Sequence, residues 1–576
     1  MACNLLSGCN NEVFRNLDYC ALHCEKNSHK IDAESGLLAE FNNMLNRHII
    51  DDVLSKKLPG IREPYFISQL KECKNKKIPI HKIIKCRGNF SDRLLFLEYI
   101  KFPAGELMDY LENLKIFKGV RFSECSFKSS EFDLELTPVY FKSCFFKSDF
   151  QIKKSVLYKI EKDCIFYKCT FEDKVYVDLK DEVKEDRLFK YTLFEECCFE
   201  GVVSLSNAEF EKEVFKFKPV PNIDTEVSAP DCLSSILIND VVFHDKCKFN
   251  YIDVVNLVIK DTKFLSKLEV KNSIVSYFEL NNSNVSEVFD SFDSRFIRFV
   301  FYKSIFTDFS GFEKVYFGLE DNFDDLYAAK FIYTTFMSFS NFRSTKFLSG
   351  LDFENSNLKE QPNFLKAYIN PINTNRETFR IVKNSFDDVG NKLEANKFFA
   401  EEMKAYKKEL DYIKFKEIEY IKSIKENGKN VKYKKTKNYK ESRRSRWVFN
   451  ANNFISEFGE NYLRPTFILT ISVAVYTVIT LWNKHYFKEH PYFTSWDWLN
   501  NASWSKWYFE SHEYFLSCEG FDIFSGFWNE LAINILPFRV FIKDRNGIEF
   551  ISLFFYIWFA ILIWQIIIAV KRHTQR

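Results

Sequence analysis

Hydrophobic positions recur along this chain in three different rhythms. From Ile31 to Ile100 the pattern is amphipathic and helical, broken at Pro59-Gly60 and Pro79, and it predicts a helical cap region over 31–118. Between about Val120 and Leu358 the apolar beat falls every five residues, which suits neither a helix nor a flat strand. Phe122, Phe127 and Phe132 form one run, and Phe141/Phe146, Phe166/Phe171, Phe194/Phe199, Phe301/Phe306, Phe331/Phe336, Phe342/Phe347 and Phe353/Leu358 form others. From Arg376 to Leu410 the helical spacing returns through Phe379, Val382, Phe386, Val389 and Leu393, then Phe398, Phe399, Met403 and Tyr406, with Gly390 as a helix stop or close crossing. Two uncharged stretches follow, Thr466–Trp482 and Ile551–Val570. Each suffices to cross a hydrocarbon core about 30 Å thick, which takes roughly 17–25 helical residues.

Two residues before the rings of the five-residue pattern stands a slim side chain: Cys125, Cys144, Cys164, Cys169, Cys197, Ala208, Cys247, Thr262, Ser304, Thr345 or Ser356. A square coil turning a corner every five residues would aim a large ring and a small partner at its axis in alternate layers. Tripeptides such as Cys169-Thr170-Phe171, Ala208-Glu209-Phe210, Ser340-Asn341-Phe342 and Ser356-Asn357-Leu358 resemble the pentapeptide-repeat family. The resemblance implies a right-handed quadrilateral β-solenoid over 119–365, interrupted at Leu179–Leu188 and Lys218–Ser228. Such repeats bury their faces only by stacking on neighbours, so a single cooperative rod is expected, with its rings and thiols as scaffold.

Composition adds to this picture at three places. Phe is extreme, with 65 residues in 576, as an aromatic-cored repeat requires. Fifteen Cys in a long chain, with most of those after Cys24 standing two residues before a Phe, read as reduced thiols in a cytoplasm, and the N-terminus carries no signal-peptide pattern. Four of those Cys crowd the first 24 residues, where Cys3, Cys9, Cys20 and His23 make a candidate structural zinc set within a knuckle-like module over 1–30. Cys24 is an alternative to His23 as the fourth ligand.

Charge nearly cancels overall, at 81 Lys/Arg against 79 Asp/Glu, yet Lys404–Arg446 holds 16 basic and 6 acidic residues. That excess of about ten lies in a helical connector over 366–464. Lys432, Lys434, Lys435, Lys437, Arg443, Arg444 and Arg446 precede the first apolar stretch, where basic residues hold the cytoplasmic side and attract anionic lipid. Nucleic acid is the disfavoured alternative partner. Basic residues also follow the second stretch, so both termini are expected in the cytoplasm, with a two-helix transmembrane domain over 465–576. Trp496, Trp498, Trp504, Trp507 and Tyr508 suit an interfacial belt in the intervening loop, and Phe521–Phe541 a short bilayer helix.

Phe458-Gly459, Arg464-Pro465 and the run Trp564–Arg572 resemble the C-terminal unit of bacterial pentapeptide-repeat membrane proteins, some of them channel-like. The chain departs from potassium channels in having no Thr-x-Gly-Tyr-Gly filter. Thr470, Thr477 and Gln565 are the candidate pore-lining or interhelical residues, and any pore needs several copies of the chain. The expectation is a bacterial inner-membrane protein. Its cytoplasmic solenoid binds a protein partner or senses a signal and controls an oligomeric pore or membrane effector, in stress response or phage defence; the alternative is an anchored scaffold without a pore. No phosphate loop, nucleophile elbow or His-Glu-x-x-His argues for an enzyme.

Overall fold

The computed structural model describes Cys3, Cys9, 11–15, 17–55, 64–82, 93–104, 109–128, Leu134, 137–152, 164–183, 187–217, 233–320, Asn322, 324–426, 437–459, 461–489 and 548–574. The chain divides into two compact units, Met1–Thr378 and Phe379–Arg576. Phe132, Lys432, Lys434, Lys435 and the loop with its tryptophans lie outside the described residues.

The first unit is a parallel β-solenoid of about ten turns with helices at its start. Ile274 pairs with Arg295, Arg295 with Tyr316, Tyr316 with Lys346 and Lys346 with Tyr368, all parallel, so each turn lays one rung on the last. Successive rungs in the regular part are 21 residues apart. Four such columns run alongside one another, those of Phe289/Ser310/Ser340, Arg295/Tyr316/Lys346, Val300/Lys330 and Ile305/Thr335/Asn357. Four sides of about five residues account for the period seen in the sequence. The coil begins earlier than its rhythm suggested. Leu94–Glu98 and Lys101–Phe102 are already strands, paired with Gly119–Ser123 and Ser126–Phe127, inside the stretch read as helical. That first turn carries Leu97 and Phe102 in place of a repeated ring pair, and helix α4 (Asp109–Leu114) interrupts it.

The corners explain the slim residues. Lys168, Asn282, Lys303, Tyr333 and Ser344 all have φ between 48° and 57°, and each immediately precedes a buried small side chain. This left-handed residue turns the chain, and the next side chain is directed inward where backbone groups need partners. Ser304 Oγ accepts from Ser283 N at 3.3 Å and donates to the Leu280 and Tyr302 carbonyls at 3.3 and 3.1 Å. Cys169 Sγ repeats the pattern toward the Phe141 and Tyr167 carbonyls at 3.6 and 3.5 Å. Thiol and hydroxyl are therefore interchangeable corner donors, Cys being the more apolar of the two.

Between the corners the rings form columns. Phe312 stacks on Phe342 at 4.7 Å, Phe342 on Phe364 at 4.9 Å and Phe146 on Phe171 at 4.6 Å, all within 10° of parallel. Adjacent parallel strands lie about 4.8 Å apart, close to the spacing at which offset rings stack, so backbone and rings agree without strain. Across corners the rings meet edge to face, as Phe331 does with Phe342 at 85°.

Helices α1 (His29–Glu34), α2 (Leu37–Ser55) and α3 (Pro64–Lys76) precede the coil. α2 buries Leu37, Phe41, Leu45, Ile49 and Ile50, and Phe41 meets Phe102 of the first turn at 5.9 Å. At the other end Thr374 and Thr378 hydroxyls accept from the amides of Leu351 and Phe353, satisfying the final rungs.

Helix α5 (Arg376–Asp388) leads into the second unit, which holds α6 (Lys392–Glu426), α7 (Lys437–Ser456), α8 (Leu463–Glu489) and α9 (Glu549–Thr574). The chain reverses between α7 and α8 through three consecutive positive-φ residues, Glu457, Phe458 and Gly459. α8 and α9 pack on one another, α6 on α7, and α9 also touches both α6 and α7.

Candidate functional sites

The N-terminal turn is built by its own backbone. His23 N and Cys24 N both donate to the Cys20 carbonyl at 3.0 Å, closing the loop Cys20-Ala21-Leu22-His23. Cys3 N donates to Asn11 O at 3.0 Å, which brings the distant Cys3 alongside. His23 Nδ1 then lies 3.2 Å from Cys20 Sγ and 3.5 Å from Cys3 Sγ, and Cys9 Sγ lies 3.9 Å from Cys20 Sγ. All four donor atoms fall within 4.8 Å of one another. A tetrahedral zinc site, with Zn–S about 2.3 Å and Zn–N about 2.0 Å, has ligand edges of roughly 3.4–3.8 Å. The donor set therefore fits a metal ion after a small inward adjustment.

Cys24 is not part of the cluster. Its Sγ faces the Ala21 carbonyl at 3.9 Å and Lys26 Nζ at 3.6 Å. The sequence left His23 and Cys24 as rivals, and the turn decides for His23 by its direction.

Burial and neighbouring positive charge from His48, Lys26 and Lys101 lower the His23 pKa to about 4, leaving a neutral imidazole, the form that ligates metal. Burial, joined by the nearby Cys9 and Cys3, pushes the Cys20 thiol up to about 12, although the Leu22 and His23 amides favour its thiolate. A divalent cation is the charge that inverts this balance. Lys26 is itself almost fully buried. It donates to the Ala21 and Cys24 carbonyls at 2.8 and 3.0 Å and lies 5.0 Å from the Phe41 ring centroid, and burial lowers its pKa.

The second unit carries the two apolar helices. Leu463–Thr480 and Glu549–Arg572 are long and apolar enough to cross a membrane, and only 17% of each window is buried. A core helix of a soluble protein is mostly buried, so this exposure distinguishes them. Their polar groups divide into two sets. Tyr476 Oη donates to Ser552 Oγ at 3.1 Å, Trp558 Nε1 to Ser472 Oγ at 3.1 Å, and Ser456 Oγ to Gln565 Oε1 at 3.0 Å, all between helices. Gln565 is thus interhelical. Thr466, Thr470 and Thr477 are exposed along one stripe of α8, each bonded to the carbonyl four residues earlier.

Of the basic run, Arg443 and Arg444 are exposed on α7, beside exposed Trp447, Val448 and Phe454. Lys437 opens that helix. Arg446 is turned onto α6, where Nη2 donates to Leu410 O at 3.3 Å and Nε lies 3.4 Å from Asp411. Arg572, read from sequence as a flanking charge, has a second role that its position alone could not show. Its guanidinium donates to the Phe458 carbonyl and lies 4.6 Å from the Phe399 ring, while its own carbonyl accepts from Asn396 Nδ2 at 3.1 Å.

No family model, curated protein or solved structure matches the chain. Fold and sites define a parallel β-solenoid protein with two apolar C-terminal helices and a largely buried three-Cys, one-His cluster that could bind a metal ion.

Proposed function

We propose that this is a membrane protein of the pentapeptide-repeat type. Its cytoplasmic solenoid binds a protein partner, and its two-helix unit assembles with copies of itself into a pore or membrane effector. The observation that carries this reading is the exposed hydroxyl stripe of Thr466, Thr470 and Thr477 on α8. Turned to a shared axis, it offers a polar-edged face on the helix pair. A bacterial inner membrane with both termini cytoplasmic, and a role in stress response or phage defence, is the setting this architecture suggests. Zinc is the metal that suits three thiols and an imidazole closing around one point. Such a site has no open position, so it supplies structure rather than catalysis. Arg443 and Arg444, with Trp447 and Phe454 beside them, suit the interface of an anionic bilayer.

Overproducing the full chain should collapse membrane potential in a dye assay, and Thr470→Leu with Thr477→Leu should abolish the collapse while leaving expression unchanged. A monomeric mass in detergent would rule out the pore. A second reading, an anchored scaffold, is favoured by Tyr476, Ser472, Trp558 and Gln565 turning their polar groups inward between helices. Under that reading, exchanging both spans for unrelated apolar ones preserves function.

A further inference from the structure

The first rung of the solenoid ends in an edge, and the turn that carries two of the four metal ligands covers it. Down one column of the coil each amide donates to the preceding turn: Ser126 N to Ile100 O, Phe145 N to Cys125 O, Thr170 N to Cys144 O and Cys198 N to Cys169 O, at 2.8–2.9 Å. Among the described residues the rung that begins this column is Lys101–Phe102, with no described strand before it. Its Lys101 amide donates instead to Leu22 O at 2.9 Å. Leu22 lies between Cys20 and His23, so the ligand loop occupies the place of a missing zeroth turn.

The residues after the loop continue along the same side of the coil. Glu25 pairs with Lys101 at 2.5 Å and with Lys147 at 3.4 Å, reaching two different turns. Lys128 Nζ, from a turn between them, donates to Lys26 O at 2.7 Å. Ala21, Leu22 and Cys24 are buried, with Leu37, Phe14 and Met44 packed on Ala21 and Cys24. An uncovered edge strand exposes unpaired backbone groups and is a recurrent liability in sheet proteins.

We infer that the Cys3/Cys9/Cys20/His23 centre is a metal-dependent cap. A bound divalent metal ion fixes the Cys20–His23 loop so that Leu22 closes the first rung, and loss of the ion opens that edge. The inference rests on the zinc reading above and adds to it a specific mechanical consequence for residues outside the ligand set.

Hydrogen exchange of the full chain in detergent tests it, comparing the zinc-loaded protein with protein stripped by a chelator. Stripping should speed exchange at least tenfold in the segment 94–102, whereas the rungs around Ser283 and Ser304 keep their protection. Cys20→Ser should reproduce the stripped pattern. Should that variant fail to fold, Cys9→Ser, at the half-buried ligand, serves in its place. Cys24→Ser, outside the cluster, should retain zinc-dependent protection. Metal content of the same samples separates the two readings. Protein that binds no zinc at all sinks both, whereas one zinc per chain with identical exchange at 94–102 before and after stripping overturns the cap alone.

Discussion

Phe331 shows what a single residue contributes in this coil. It is fully buried, stacks on Phe353 at 4.9 Å, and meets Phe301, Phe312 and Phe342 edge to face at 5.5–5.9 Å. Phe331→Ala should cost about 3–5 kcal/mol in denaturant unfolding, and Phe331→Leu roughly 1–2, because leucine refills most of the space. Charge acts differently at Glu269. Burial pushes its carboxyl up, but Asn250 at 3.0 Å, Lys267 at 3.2 Å and Lys271 at 3.5 Å outweigh this and hold it below its ordinary value. The folded chain therefore binds fewer protons here than the unfolded chain. The stabilisation is complete above the ordinary carboxylate range and disappears as pH falls through the lowered value. Glu269→Gln should cost about 1 kcal/mol at neutral pH, and the two proteins should converge in acid. A difference that persisted at low pH would assign the loss to packing instead.

Among the elements, the reversal between α7 and α8 is closely constrained. Gly459 has φ +86°, and a Cβ there would lie 2.6 Å from Arg572 Nη1, the group that holds the Phe458 carbonyl. Gly390, between α5 and α6, has φ +77° with open space around it. Alanine at Gly390 should cost only the left-handed backbone penalty of about 1–2 kcal/mol. Alanine at Gly459 should cost measurably more in thermal unfolding and should be partly rescued by Arg572→Lys, whose slimmer head can withdraw. Equal losses at the two glycines would show that Arg572 is not wedged against the reversal.

At the scale of the solenoid unit, nearest-neighbour stacking makes damage spread along the coil before it spreads anywhere else. Phe331→Ala should therefore lower hydrogen-exchange protection most in the turns of Phe301 and Phe353, and least in those of Phe122 and Phe146. Uniform loss along the coil would mean that the whole stack opens as one event. The uneven sequence helps to set this order. Turns between Arg121 and Val214 carry insertions, whereas Ile274–Asn281 and Arg295–Tyr302 are uninterrupted strands paired over nearly their full length.

The five-residue rhythm by itself determined a stacked coil with Phe inside and small residues before the rings, because a repeat must satisfy the same burial at every corner. Length and lack of charge, properties of the chain alone, likewise determined two membrane-length apolar helices. The start of the coil was not legible. Leu94–Phe102 breaks the rhythm yet pairs in register, and pairing is a contact between residues about 25 apart. Cys3, Cys9, Cys20 and His23 were legible from spacing as a cluster that could bind a metal ion. The choice of His23 over Cys24 required the direction of a turn, and the placing of Leu22 on the first rung required the turn and the coil together. Local composition settles what a residue can do. Only the fold, by bringing separate segments within a hydrogen bond of one another, decides which partner it does it with.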